Sequence, residues 1–262
     1  MPNDHYIELV GKIVQTLETL RDAPDGLSIQ ELAARTGFVK SSAHRILNSL
    51  KKHGYVEQES AGGPYRLGLQ VLTLARGLSA GMNLIRMARP YLSELVETFD
   101  ESAYLAVLRA GRGIFVDVQE TRRDLRLVGP LGAEVHFQAT AAGKAMAAFF
   151  PPDRSAALLK SLKLEKQTEK TLSARPEVEK EWAKVRRLGF AVNDEETIVG
   201  AIFLAAPLFD AEHNVCGSIS VGIPKPRYSA KLGTEIADHL KDACRRLSDV
   251  LEAAGYVHEN RH

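Results

Sequence analysis

Cysteine is scarce in this chain: Cys216 and Cys244 are the only two in 262 residues. Two thiols cannot build a disulfide framework, and their scarcity fits a reducing compartment, the cytoplasm. No run of about 18 uncharged apolar residues occurs, which excludes a transmembrane helix. The opening MPNDHYIELVGK has no basic segment followed by an apolar stretch and does not read as a secretory leader. G-x-S-x-G, H-E-x-x-H, Walker A and C-x-x-C are all missing, and Gly111-Arg112-Gly113 lacks the rest of a dinucleotide fingerprint. Neither sign of charge dominates: 34 basic and 33 acidic side chains leave +1, so the chain is not polycationic throughout.

What is present is ordinary globular composition, 45% hydrophobic and 26% charged, at a length that suits one large domain or two modest ones. Ile7, Val10, Ile13, Val14, Leu17 and Leu20 recur at helical spacing and predict a helix ending near Arg21. Ser28 and Glu31 form a capping-box pattern that opens a second helix over 29–36. A third begins near Lys40, carries Ala43, Ile46, Leu47 and Leu50 as its apolar stripe, and ends at His53-Gly54. Strands over 55–58 and 65–67 flank the glycine-rich SAGGP turn. This is the order of a winged helix-turn-helix, in which the later helix is offered to the DNA major groove.

The apolar segment 69–82 reads as a linker helix with a face to bury. Residues 83–262 read as an α+β domain: a helical stretch from Leu84 with a new first turn at Pro90, strands over 102–108 and 114–118 joined by the Gly111–Gly113 turn, and a further strand over Leu125–Val128. A small-residue helix over 139–150, a charged helix over 177–187, strands over 190–192, 202–207 and 217–222, and a final helix over 230–253 complete it. The domain boundaries are therefore placed at 1–68, 69–82 and 83–262.

The third helix turns Lys40, Ser41, Ser42, His44, Arg45 and Asn48 away from its apolar stripe, with Lys51 and Lys52 at its end and Arg66 on the returning strand. Lysines and serine hydroxyls suit phosphates, and Arg or Asn can pair bidentately with base edges. Residues 35–66 carry a net +4, which leaves −3 for the rest. The charge total hides this partition. His44 has no Cys or His at ligand spacing and is not read as a metal ligand. Asp194-Glu195-Glu196 reads as a solvated turn, Lys144 as a helix-surface charge, and Cys216 as a buried thiol.

GLSIQELAARTGFVKSSAHRILNSLKKHGYVEQ at 26–58, PYRLGLQVLTLARG after it, and ATAAGKAMAAF, GFAVNDEETIVG, FLAAPLFD and SISVGIP further on together resemble the IclR family of bacterial transcriptional regulators. The resemblance implies a winged helix-turn-helix, a linker helix and a PAS/GAF-like effector-binding domain, in dimers that pair into tetramers on pseudo-palindromic operator DNA. It implies a repressor or activator of catabolic genes, with no cofactor or metal. Matched motif to motif, it places the effector against Ala141, Ala142, Asn193, Phe203, Ser220 and Gly222. Phe203 and Gly222 depart from the family pattern of a small residue and a serine, which favours an aromatic or partly apolar acid over a small hydrophilic one. Arg126 and His136 are candidate anion binders beside that site. The residues alone leave open close packing at Ala141–Gly143, an enzyme using the second domain, and an interaction module whose winged domain binds protein.

Overall fold

The computed structural model describes residues 7–60, 62–76, 83–129 and 131–258. It divides into two compact units, Met1–Met82 and Asn83–His262.

In the first unit, α1 (Glu8–Arg21), α2 (Ile29–Thr36) and α3 (Lys40–Lys52) precede β1 (Val56–Gln58), β2 (Tyr65–Leu67) and α4 (Gln70–Arg76). Leu20, Leu27, Leu32, Ala43, Ile46, Leu47, Leu50, Val56 and Tyr65 form one core. Tyr65 exchanges both backbone hydrogen bonds with Leu27, at 2.8 and 2.9 Å, which moors the β1–β2 wing to the α1–α2 connection. The capping box forms in full: Ser28 Oγ accepts from the Glu31 amide at 3.2 Å, and the Glu31 carboxylate accepts from the Ser28 amide at 2.8 Å. Ser28→Ala is expected to cost about 1 kcal/mol. In a unit of this size that lowers the melting temperature by roughly 4–8 °C by circular dichroism, while Ser28→Asp leaves it near wild type.

The stripe expected on α1 is split. Thr16 and Leu20 are buried, whereas Ile7, Leu9, Val10 and Val14 are exposed. Leu69, Leu72 and Leu74 are exposed as well. α4 covers the start of the expected linker helix; its remainder, including Leu78, lies outside the described residues.

The second unit holds α5 (Asn83–Phe99), β3 (Ser102–Arg109), β4 (Arg112–Gln119), α6 (Ala141–Ala147), α7 (Pro152–Ser161), α8 (Arg175–Leu188), β5 (Ala191–Asp194), β6 (Ala201–Phe209), β7 (Val215–Pro224) and α9 (Ala230–Ala253). The five strands form one antiparallel sheet in the order β4-β3-β7-β6-β5. Strand alternation sorts its side chains into two cores. Leu105, Ile202, Leu204, Ile219, Val221 and Ile223 pack with α5 and α9. Ala106, Leu108, Ala205 and Phe203 face α6 and α8. Small and polar residues therefore recur on the α6 side of β7, and that face positions the site.

Several expectations change here. The β3–β4 turn falls on Ala110-Gly111, both at positive φ, and Arg112 already belongs to β4. Pro90 lies inside a continuous α5 and opens no new helix; proline forfeits one amide hydrogen bond, which the packing of this helix tolerates. Leu125–Val128 is not a strand: it has no sheet partner, and Leu125 and Val128 are exposed. The small-residue helix is shorter than expected at both ends: Thr140 caps its start, its Oγ accepting from the Gly143 amide at 3.0 Å, and it ends at the C-cap Ala148. α7 was not expected, and it buries none of its residues, so no apolar period marks it.

Candidate functional site

α3 presents the expected polar face. Ala43, Ile46, Leu47 and Leu50 are buried beneath it, while Lys40, Ser41, His44, Arg45, Asn48, Lys51 and Lys52 are exposed and Ser42 is half-buried. Gln58 accepts from Lys51 Nζ at 3.0 Å, and the Asn48 amide lies 3.3 Å from a ring nitrogen of His44. Arg66 is anchored to the wing: it pairs with the exposed Glu59 at 2.7 Å and donates to the Asp25 carbonyl at 3.0 Å. The Arg45 carbonyl accepts from Ser49 Oγ at 2.9 Å, while its guanidinium forms no hydrogen bond or ion pair among the described residues. Three helices in this order, a two-stranded wing and a row of exposed polar side chains on the third helix make up a winged helix-turn-helix.

In the second unit a cavity of about 230 Å³ opens between the α6 face of the sheet, the start of α6 and the loops around residues 128–136 and 193–198. The strand register explains its lining. Asn193 pairs with Phe203, Phe203 with Gly222, and Ser220 with both Tyr104 and Ala205. Four separated segments thus meet on two neighbouring same-face rungs of the sheet. Ala141, Ala142, Asn193, Phe203, Ser220 and His136 all line the cavity. Gly222 stands behind its wall instead: a Cβ there would meet Phe203 Cε1 at 2.7 Å and Tyr104 Cε2 at 3.1 Å, so the glycine makes room for both rings. Arg126 is elsewhere, paired with Glu120 at 2.8 Å, and does not line the cavity.

Sequence reasoning missed Tyr104, Phe115, Val128, Thr197 and Ile198 in the lining. Tyr104 meets Phe115 and Phe203 edge to face, with centroids 6.4 and 6.1 Å apart, which builds an aromatic wall. Burial pushes its phenol up to about 12, so it stays neutral, and it donates to the Leu127 carbonyl at 2.5 Å, tying the neighbouring loop to the sheet. Asn193 is committed: its amide donates to Thr197 Oγ1 at 2.7 Å and its carbonyl accepts from the Glu196 amide at 2.8 Å. Ser220 is only 3% exposed, and its hydroxyl has no partner among the described residues. The lining also includes the carboxylate of Glu134, which Arg112 holds in a bidentate pair at 3.0 Å.

Two further expectations are corrected beside the cavity. Lys144 is fully buried and not a surface charge: it donates to the Val192 carbonyl and sits 2.5 Å from Glu196 and 3.5 Å from Glu181. The 194–196 run is not a solvated turn. Asp194 pairs with Lys225, Glu195 with Lys170 at 2.5 Å, and Glu196 with Lys144. The Lys170 ammonium, helped by the Gly200 amide, holds Glu195 down to about 2. Burial raises Glu196 against the pull of Lys144. Gly143 serves packing, since a Cβ there would meet the His136 carbonyl oxygen at 2.5 Å and Phe137 Cα at 2.7 Å. Cys216 and Cys244 are buried free thiols, raised by burial. Among the described residues no group of three or more His, Cys, Asp or Glu could hold a metal, and no helix is long and apolar enough to cross a membrane.

A DNA-reading winged domain joined to a domain with a small-molecule cavity defines a ligand-responsive transcription factor. Residues 78–249 match the family profile described as "Bacterial transcriptional regulator IclR C-terminal", and residues 10–60 match the "IclR helix-turn-helix domain". The chain belongs to the IclR family of bacterial transcriptional regulators. It is a regulator and not an enzyme. It is 32% identical to an HTH-type transcriptional regulator of Mycobacterium tuberculosis over 85% of this chain and 84% of that one. It is 25% identical to the transcriptional repressor IclR of Escherichia coli over 94% and 91%. Its fold is shared with a crystal structure of an IclR homolog from Microbacterium hydrocarbonoxydans complexed with 4-hydroxybenzoate, at TM-score 0.80 and 20% identity, covering 94% of this chain and 99% of that one.

Proposed function

We propose that the protein is a cytoplasmic repressor of a catabolic operon, released from operator DNA by a small aromatic acid. The observation that carries the reading is the cavity itself: Tyr104, Phe115 and Phe203 offer ring faces, and Ser220 offers an uncommitted hydroxyl inside. An aromatic body with one polar end suits that lining. His136, exposed at the mouth, is the one lining group able to become cationic and meet a carboxylate. The 4-hydroxybenzoate bound by the Microbacterium homolog has this chemistry, and repression follows the Escherichia coli relative.

On DNA, Lys40, Ser41, Ser42, Lys51 and Lys52 hold phosphates and position α3, while Arg45, His44 and Asn48 face base edges. Arg66 supports the wing through Glu59 and reaches phosphate from there. The exposed apolar residues of α1 and α4 support a homodimer, with pairs of dimers on longer operators. Effector binding changes how the two winged domains are presented, which lowers affinity for two half-sites one helical turn or a multiple apart.

The test is a gel-shift titration with DNA from immediately upstream of the protein's own gene. Saturating 4-hydroxybenzoate is expected to weaken the complex at least tenfold, and small hydrophilic acids such as pyruvate to leave it unchanged. Release by pyruvate alone would overturn the aromatic assignment. Tighter binding with effector would make the protein an activator-type switch.

A further inference from the structure

Lys144 is the one charged side chain among the largest fully buried ones, and neither the DNA-reading face nor the cavity lining accounts for it. Its ammonium sits where three elements meet. α6 carries it, the β5 residue Val192 accepts from it through its carbonyl, Glu196 of the loop after β5 pairs with it at 2.5 Å, and Glu181 of α8 lies at 3.5 Å. Replacing a buried ion pair by apolar residues of similar volume is often neutral or stabilising, so stability alone is a poor reason for this one.

The contacts to Val192 and Glu196 lie beside the cavity. Ala141 and Ala142 precede Lys144 on α6; Asn193 follows Val192; Thr197 and Ile198 follow Glu196. Apolar burial does little to hold the 195–200 loop, because Ile198 and Val199 are 53% and 77% exposed. Its other polar tethers run to the 168–171 segment (Lys170 to Glu195, Thr168 Oγ1 to the Glu195 carbonyl at 2.7 Å, Thr171 Oγ1 to the Glu196 carbonyl at 2.6 Å), to the Lys225 amide, which donates to the Gly200 carbonyl at 2.7 Å, and to Asn193 at the base of the loop. Lys144 ties this wall to α6, whose first residues also line the cavity. The tie is incomplete, since Glu196 Oε2 is buried with no partner among the described residues. A bond of this kind is strong enough to set a gap and unsatisfied enough to come apart.

We propose that Lys144 is a positioning residue of the effector cavity: with Glu196 it forms a buried latch that fixes the 193–198 wall against α6, and cavity occupancy and latch closure are linked. This rests on reading the cavity as the effector site, and the test separates the two. Hydrogen–deuterium exchange on the full chain without ligand compares wild type, Lys144→Met, Glu196→Gln and the Lys144→Met/Glu196→Gln double variant. Exchange over 195–200 is expected to rise at least tenfold in both variants lacking Lys144, with β6 and β7 still protected. In the double variant, thermal stability lost in Lys144→Met returns, because no carboxylate is left buried without its cation, yet the loop stays fast. Recovery of loop protection together with stability would reduce the pair to a structural role and overturn the proposal, as would faster exchange spread evenly over the second unit. If Lys144→Met does not fold, the double variant and Glu196→Gln decide the matter.

A second arm titrates 4-hydroxybenzoate and follows the fluorescence of Trp182, the only tryptophan of the chain, whose Nε1 donates to the Phe137 carbonyl at 3.1 Å. Binding at least tenfold weaker in the double variant is expected; equal affinity overturns the positioning role. No binding to wild type counts against this effector and leaves the latch to the exchange measurement.

Discussion

Arg45→Ala is expected to erase most of the discrimination between the operator and unrelated DNA without disturbing the fold. Arg45 is exposed on α3, on the side opposite Ala43, Ile46, Leu47 and Leu50, so truncation removes no core contact. Surface substitutions of this kind change stability by about 0.5 kcal/mol or less. An arginine in a bidentate pair with a guanine edge contributes about 1–3 kcal/mol of discrimination, roughly five- to 150-fold per half-site. Lys52→Ala should behave differently, weakening operator and scrambled DNA alike and shallowing the salt dependence by about one ion. Titrations of both DNAs at one fixed ionic strength give the ratio that decides it. An unchanged ratio in Arg45→Ala would move base recognition to Asn48 or His44.

Gly143→Ala carries the other large effect, and it falls in the second unit. The added methyl meets the His136 carbonyl oxygen at 2.5 Å and Phe137 Cα at 2.7 Å, both backbone, so no side chain can swing away. Overpacking typically costs about 1–3 kcal/mol. With backbone on both sides the upper end, about 3 kcal/mol, is expected, a loss of roughly 6–12 °C in melting temperature for a unit of this size. The 136–137 turn also carries the hydrogen bond to Trp182, so indole fluorescence follows the transition directly. A loss below about 2 °C would mean that the turn yields and that close approach is not why glycine occupies this position.

The winged domain was legible because its signals are local. A capping box, an apolar stripe that starts six residues beyond Gly37, and a glycine-rich turn each lie within one element or at its end. The same holds for α9, whose apolar period runs through Ile236, Leu240, Ala243, Leu247 and Leu251. What escaped depended on register or on distance. Tyr104 reads as one more strand residue until the β3–β7 pairing sets it opposite Ser220. Lys144 reads as a solvent-facing lysine until two acids 37 and 52 residues downstream fold over it. Leu125–Val128 has strand-like composition, but the outer edge of β4, the strand before it, is taken by residues 132–135 instead: the Phe115 amide donates to the Ala133 carbonyl and the Val135 amide to the Gly113 carbonyl. The cavity lining was partly legible through family motifs, which named its floor and β-strand wall but not the two loops that complete it.

The strand order has a consequence for how the molecule is made. The central strand of the sheet, β7, begins at Val215, and no earlier segment joins β3 to β6. About four-fifths of the chain must leave the ribosome before the sensor sheet can close. The winged domain, whose core needs nothing beyond Tyr65, is complete long before that. A chain stopped between the two points would therefore carry a complete winged domain beside a second unit whose sheet, and with it the cavity, has not closed.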